Sequence, residues 1–527
     1  MVQSPKHISE NISLDVIPLD DEHTWDLICQ GKTIGVFQCE SKLLQDWLKK
    51  IKPRNIWELS IVIAGVRPAS LESGAMDSYV NNKENPDHIT RFNHPEIDNI
   101  LYNTNFNIFF QEQLLKIAQR VAWVHLDLNT RLVKSDNLRK AVGKKDSAKI
   151  LQIGKEFVEG CVKNGVEQSI ADRLFEILKN SGRYAFNLSH SISYSFIAYY
   201  MAFMKVYFPQ HFFTVALSYS DEKMDHYFEL NRLAQDAKRF GYKILPPDIR
   251  QKNLEFKRVD DDKILYGLSH MKFFGKHMQE NLHKFPEMKN WKDIIRFSFE
   301  GIDVGKDKKW SPDSRGIVSL ILSGCFDSIE KDRWKLYYLV ELLKSLTPKE
   351  VDGFVKFIND VDIIDQAPDV LIRVAEEKSV KKRKDLIRSE SIILRNKLQS
   401  PTNMFWLERK EKEYCGTIMS TDILGNKSDK STMNCISLGQ TEFFETSNQI
   451  LVCIIDNVIT HVIKSGKNKG KTMAKINVHD SSGELSSIPV FSNAYQDCKD
   501  LLYEDNIVEL VLKNYNGQWI VDSISQA

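Results

Sequence analysis

The spacing of apolar residues changes along this chain, and that change limits the folds open to it. Up to about Gly241 apolar positions recur at helical intervals, with almost no alternating text. In the last eighty residues the interval becomes that of strands. Ile450–Val458, Thr472–Val478, Leu485–Phe491, Ile507–Leu512 and Trp519–Ser523 read as five β segments, with a helix at Ala494–Leu502 between the third and fourth. That is the order of an OB-fold barrel. The expected fold class is mostly α and multidomain with a C-terminal five-stranded OB-fold β-barrel, because 527 residues exceed one ordinary domain.

The expected domain plan follows the text in order. Residues 1–16 are polar and are expected as a disordered tail. Residues 17–241 form a helical domain, opening on Ile17-Pro18-Leu19-Asp20-Asp21 as an extended lead and helix cap. Ser41 precedes a helix expected to turn Leu43, Leu44, Trp47 and Leu48 inward. Residues 242–329 form a second unit, where Gly267–Met278 reads as helix, glycine hairpin and helix. Residues 330–447 are helical and charged, then turn-rich, and residues 448–527 make the barrel.

Composition narrows the function classes. Lys and Arg number 72 against 71 Asp and Glu, so only local patches could attract nucleic acid. The eight cysteines are scattered, with no CxxC or Cys/His cluster at metal spacing, which fits a reduced, cytoplasmic setting. No run of about 18 apolar residues exists, and no membrane partner is expected.

Five local constellations carry candidate chemistry. Arg139, Lys140, Lys144 and Lys145 flank Gly143, a helix stop. They read either as a solvated C-terminal turn or as a fork of cations for a polyphosphate. Arg67 is delivered into a turn by the apolar run Ile61–Ala64, as a salt-bridge partner or a functional cation. Asn187, Ser189 and His190 stand in a hydroxyl-rich loop before an aromatic helix at Tyr194–Phe208, with His190 as a hydrogen-bonded cap in the plainer reading. Gly275 and Lys276 could aim a hairpin at a DNA phosphate or simply join two helices. Lys464, Lys467, Lys469 and Lys471, among two glycines in the first barrel connection, suit a loop tracking single-stranded nucleic acid, or else a solubilising tip.

Taken together these strings resemble a bacterial C-family replicative DNA polymerase, the DNA polymerase III alpha subunit, over roughly residues 17–329 and 404–523. The markers include Gly35-Val36-Phe37-Gln38-Cys39-Glu40-Ser41, Arg67-Pro68, Gln111-Glu112-Gln113, Gly143-Lys144-Lys145, Phe157-Val158-Glu159-Gly160, Phe186-Asn187-Leu188-Ser189-His190-Ser191 and Gly324-Cys325-Phe326-Asp327, in the family's order. The resemblance implies polymerase fingers, a tandem helix-hairpin-helix region at 242–329 and the OB domain. It makes Arg67, Arg139, Lys140, Lys144 and Lys145 ligands for the dNTP triphosphate, with Asn187, Ser189 and His190 lining the same cleft. Primer-template and single-stranded DNA are the implied partners. A sliding clamp is a further one, through Gln399, Met404 and Phe405.

This sequence departs from the family pattern in two ways. Lys140 stands for a second arginine, Ala69, Arg183 and Ala185 for glycines, and Leu188 for a lysine. The family's palm, with three aspartates holding two metal ions, should precede Ile17, where Asp15 stands alone, and Asp260-Asp261-Asp262 is too remote to substitute. The expectation is one part of a split polymerase with no catalytic or metal-binding residue of its own. Mg2+ would be held by a palm-bearing partner polypeptide, and this chain alone would be inactive. The alternative is a non-catalytic DNA-binding or clamp-associated accessory protein derived from a polymerase.

Overall fold

The computed structural model describes all residues other than 1–12, 90, 144–146, 182–184, 223, 306–307, 421–422, 436–437, 439–447, 464–465, 467 and 516–517. Most of the expected N-terminal tail therefore lies outside the described residues, and Leu14–Val16 form one exposed 3-10 turn. The chain divides into two compact units at Pro209. The expected class holds: the chain is mostly helical and ends in five antiparallel strands.

The first unit is built of helices. Asp21 caps α1 (Glu22–Cys29) by accepting from the Thr24 amide at 2.8 Å. Ser41 caps α2 (Lys42–Ile51), whose buried stripe is Leu44, Leu48 and Ile51. Leu43, expected inward, is 42% exposed, and Trp47 is half-buried beneath the Lys50 ammonium. The i, i+4, i+7 stripe beginning at Leu44 faces the core, and Leu43 stands one residue, about 100°, off it. Next come α3 (Ile56–Gly65), buried from Leu59 onward, the short α4 (Pro68–Glu72), and α5 (Ala75–Glu84) and α6 (Pro95–Leu101).

α7 (Gln111–Ile117), α8 (Leu128–Gly143), α9 (Ser147–Lys163) and α10 (Gln168–Ser181) surround one core that includes Ile117, Leu138, Phe157 and Leu174. Gly160 lets α9 approach the backbone here, since a Cβ on it would sit 2.3 Å from the Ala122 carbonyl oxygen. The marker around Phe157 thus encodes packing.

α11 (Leu188–Tyr207) starts earlier than its aromatic text suggested, because Asn187 caps it. It lies along α3, where Ser191 Oγ donates to the Ser60 carbonyl at 2.7 Å. Farther along, Tyr199 OH donates to the Pro18 carbonyl at 2.6 Å and Tyr207 OH to Asp21 at 2.6 Å. The buried Lys205 ammonium donates to the carbonyls of Lys32 and Ile34 at 2.9 and 2.7 Å. The Ile17–Asp21 lead and the carbonyls of Lys32 and Ile34 are therefore held by the far half of α11.

In the second unit, α12 (Pro209–Ser218) and α13 (His226–Arg239) precede a small sheet of β1 (Lys243–Leu245), β2 (Lys257–Asp260) and β3 (Lys263–Leu265). Asp261 and Asp262 form the β2–β3 turn. The first helix expected within Gly267–Met278 is only a 3-10 turn, Leu268–His270. The amides of Leu268 and Ser269 donate instead to the carbonyls of Asn253 and Leu254, which stops helical propagation. The second helix is α14 (Lys276–Asn281).

Helices continue through α15 (Trp291–Phe299), a hairpin of β4 (Ile302–Gly305) and β5 (Lys308–Trp310), α16 (Ser314–Leu322), α17 (Arg333–Ser345), α18 (Pro348–Phe357), α19 (Ala367–Glu376), α20 (Lys384–Gln399) and α21 (Met404–Cys415). Their interior holds an ionic knot. The Arg333 guanidinium bonds Asp327 through Nε (2.8 Å) and NH2, and Glu411 through NH1 (3.0 Å). Gly324, at φ +87°, makes room, since a Cβ there would lie 2.1 Å from Arg333 NH2.

The last strands are β6 (Gln449–Val462), β7 (Thr472–His479), β8 (Glu484–Val490), β9 (Ile507–Tyr515) and β10 (Gln518–Gln526), in the order β10-β9-β6-β7-β8. Helix Ser492–Cys498 sits between β8 and β9 where the sequence placed one. All four pairings are antiparallel, and among the described residues no ladder joins β8 to β10.

At the β6 register shift between Ile455 and Asn457, Asp456 reaches His479 Nδ1 at 2.7 Å. Burial alone would lower the imidazolium's pKa, but Asp456 and Glu408 outweigh it and lift His479 to about 9, against a smaller opposing effect of Lys412. A raised folded value stabilises below the unfolded value, near 6.5, and that gain is lost as pH climbs through about 9. Between pH 6 and 10 the wild type should lose roughly 3 kcal/mol more than His479→Gln, by urea unfolding. Equal losses would show that the pair is not linked to folding.

Candidate functional site

The first unit gathers four of the candidate residues around one aromatic ring. α3 ends at Gly65, and Pro68 at the first position of α4 forces Arg67 into extended backbone, φ −144° and ψ 150°. From there the guanidinium carbon lies 3.3 Å from the centre of the Phe186 ring. Burial holds the guanidinium below its usual pKa, yet it stays charged at neutral pH. Among the described residues it has no carboxylate partner.

Phe186 is in turn fixed by the 109–113 segment. Its amide donates to the Phe109 carbonyl at 2.7 Å, and its carbonyl accepts from the Gln111 amide at 2.9 Å. Gln111 Nε2 donates to the Ala185 carbonyl at 3.1 Å. Glu112 receives Asn187 Nδ2 at 3.0 Å and the Leu188 amide at 2.9 Å. Gln113 Oε1 caps the amides of Phe109 and Phe110, both at 3.0 Å. Gln111 and Glu112 therefore tie down the loop that opens α11, while Gln113 fixes the segment they stand on.

At the start of α11, Asn187 Oδ1 accepts from the His190 amide at 2.9 Å and from Ser189 Oγ at 2.8 Å. The capping residue is Asn187, and His190 contributes only its backbone amide. The His190 imidazole lies 3.8 Å from the Tyr194 ring and 5.3 Å from the Phe186 ring, centre to centre. Asn187, Ser189 and His190 are exposed. The result is an aromatic-backed cation beside the N-terminus of a 20-residue helix, where backbone amides favour anions.

Arg139 and Lys140 stand on α8, and among the described residues no hydrogen bond or ion pair joins them to Arg67 or His190. Both grip Asp136. Arg139 reaches Oδ1 at 2.7 Å and Lys140 reaches Oδ2 at 2.6 Å, and these two cations, Lys140 first, hold the Asp136 carboxyl below its usual pKa. An incoming phosphate would compete with that carboxylate. Lys144 and Lys145 lie outside the described residues. Sequence reasoning missed Phe186, Glu112 and Asp136 as working parts. Only Asp136 had a readable signal, its i, i+3 and i, i+4 spacing to the two cations.

Residues 1–165 match the bacterial DNA polymerase III alpha subunit finger domain, a segment that contains Arg67, Glu112, Arg139 and Lys140. Across 95% of its length the chain is 29% identical to the DNA polymerase III subunit alpha of Aquifex aeolicus (strain VF5), covering 38% of that relative. The corresponding proteins of Chlamydia pneumoniae and Staphylococcus aureus (strain MRSA252) are each 26% identical over 96% and 99% of the chain, which covers 38% and 44% of them. The chain resembles DNA polymerase III alpha subunits along nearly its whole length. It spans about two fifths of the length of these curated relatives.

The remaining candidates of this polymerase III alpha-like chain are dispersed through the second unit. Gly275 precedes α14, and the Lys276 side chain is 87% exposed, with Glu280 3.8 Å from its ammonium. Lys469 and Lys471 are exposed in the β6–β7 connection, whereas Lys464 and Lys467 lie outside the described residues. Gln399 is the last, exposed residue of α20, and Met404 opens α21 at 44% exposure. Phe405 packs against the cluster of Leu424, Val452 and Ile454. The segment expected as a free clamp peptide is thus mostly the junction of two helices. Among the described residues, no group of three or more His, Cys, Asp or Glu is arranged to hold a metal ion, and no helix is long and apolar enough to cross a membrane.

Proposed function

We propose that this chain supplies the fingers and DNA-binding parts of a split C-family DNA polymerase whose metal-holding palm is carried on another polypeptide. The observation that carries the reading is Arg67, stacked on Phe186 and without a carboxylate partner among the described residues, beside the Asn187-capped start of α11. A desolvated guanidinium with free donors suits a triphosphate, which it can bind bidentately. Nucleotidyl transfer builds charge on the departing pyrophosphate, and cations placed in advance offset it. In this reading Arg67 and the α11 amides face the phosphates and His190 offers a hydrogen bond at the same place. Arg139 and Lys140 join once phosphate displaces Asp136. Mg2+, supplied by the partner's carboxylates, would activate the primer 3′ oxygen. The five-strand order is that of a partly open OB barrel, which suits Lys469 and Lys471 to a single-stranded template.

A second reading, a non-catalytic accessory protein, draws support from Leu188, an apolar side chain where the resemblance implies a lysine. Primer extension separates the two. The purified chain should extend no primer, and mixing it with a palm-bearing polypeptide should restore extension. Extension by the chain alone would overturn the split arrangement. A complex that forms yet binds no dNTP would favour the accessory role.

A further inference from the structure

A cleft of about 780 Å³ lies wholly within the second unit, bordered by α13, α21 and strands β6–β8. Its wall contains buried polar atoms that make no hydrogen bond within the fold. Glu408 is 1% exposed, and its Oε2 accepts from the Ile423 amide at 3.0 Å. Glu408 Oε1 accepts no hydrogen bond, with His479 Nε2 3.6 Å away, beyond bonding range. Asn231 is 4% exposed and donates through Nδ2 to the Ser482 carbonyl, while its Oδ1 is left without a donor. Lys412 Nζ also lacks a hydrogen bond, with Glu484 at 3.5 Å. Folded interiors seldom leave such atoms without a hydrogen bond; Glu408 and Lys412 hold only loose ion pairs here, and three such atoms on one cleft suit a ligand.

The lining also says what kind of ligand. Counting His479 as charged, four cations face four carboxylates, so the cleft suits a neutral molecule better than a phosphate. Tyr227 and Phe228 lend an aromatic wall, and Gly416 seats the Tyr227 ring, a Cβ there falling 2.5 Å from Cδ1. Two buried acceptors and one donor beside aromatic rings describe the complement of a planar heterocycle with two N–H donors next to a carbonyl. Among the nucleobases only guanine has that edge, with N1–H, N2–H and O6 in a row.

The geometry points to a pocket for one unstacked guanine base, read by Glu408 Oε1, Asn231 Oδ1 and Lys412 Nζ. This does not depend on the polymerase reading, since the cleft is complete within this chain. The base could belong to single-stranded DNA or to a free nucleotide, and the two sources are separable. Fluorescence anisotropy of the full chain with labelled dT12 carrying one central dG, dA or deoxyinosine should show dG bound about tenfold or more tighter than dA. Deoxyinosine, which lacks the N2 amine, should fall between. Competition by dGMP at matching concentration would assign the site to free nucleotide, and its failure to compete would assign it to DNA. Glu408→Gln, checked for folding by thermal melting, should abolish the preference while leaving binding of plain dT12 unchanged. Equal affinity for all three oligonucleotides, with no dGMP binding, overturns the proposal without any variant.

Discussion

Arg333→Ala is expected to destabilise the second unit by about 3–5 kcal/mol, because it leaves two carboxylates in the interior without their cation. The Arg333 side chain is 6% exposed, and Glu411 beside it is fully buried. Glu411 Oε2 also accepts the amides of Met419 at 3.0 Å and Ser420 at 3.1 Å, so its misplacement would loosen the turn after α21. Burial already pushes the Asp327 carboxyl up, with Arg333 opposing that rise. Removing the arginine should push the Asp327 carboxyl higher still. Arg333→Lys should recover little, since an ammonium cannot fork between Asp327, Glu411 and Ser420. Hydrogen exchange over residues 320–345 and 408–420 measures the effect. Protection unchanged in Arg333→Ala would show that the knot adds no net stability.

The second large effect concerns activity. In the assembled polymerase Arg67→Ala should lower kcat/KM for dNTP incorporation by about 10²–10³-fold, the usual loss when one preplaced electrostatic donor is removed. Arg67→Lys should restore part of it, and Phe186→Leu should cost less than Arg67→Ala, because it removes only the surface that orients the guanidinium. Stability should barely change, as Arg67 holds no ion pair among the described residues. Single-turnover incorporation is the measurement, and rates within twofold of wild type would exclude Arg67 from the phosphate site.

The strands were legible because short β-rich runs stand between turn residues: β6, β7, β9 and β10 contain the runs that the sequence marked, and the third run overshoots β8 by one residue, Phe491. The helices were legible from the spacing of their apolar residues. What stayed hidden depended on bonds between distant residues. Nothing local in Leu268 or Ser269 says that their amides will pair with Asn253 and Leu254. Nothing in Gln111-Glu112-Gln113 says that it anchors a loop about 75 residues later. The site was legible as a set of residue types but not as a constellation. Arg67 and His190 could be named from the text, whereas the ring that stands between them could not.

One consequence concerns α11. Its first turn follows the Phe186–Asn187 loop, which the proposed function turns toward the nucleotide, and its last turns are bolted to Pro18, Asp21 and the carbonyls of Lys32 and Ile34. A rod of 20 residues is about 30 Å long. Tilting it by 10° as a phosphate is gripped would swing the opposite tip by roughly 5 Å, dragging the leading segment with it. The helix is thus a tiller, by which events at the triphosphate can steer whatever abuts the first residues of the domain.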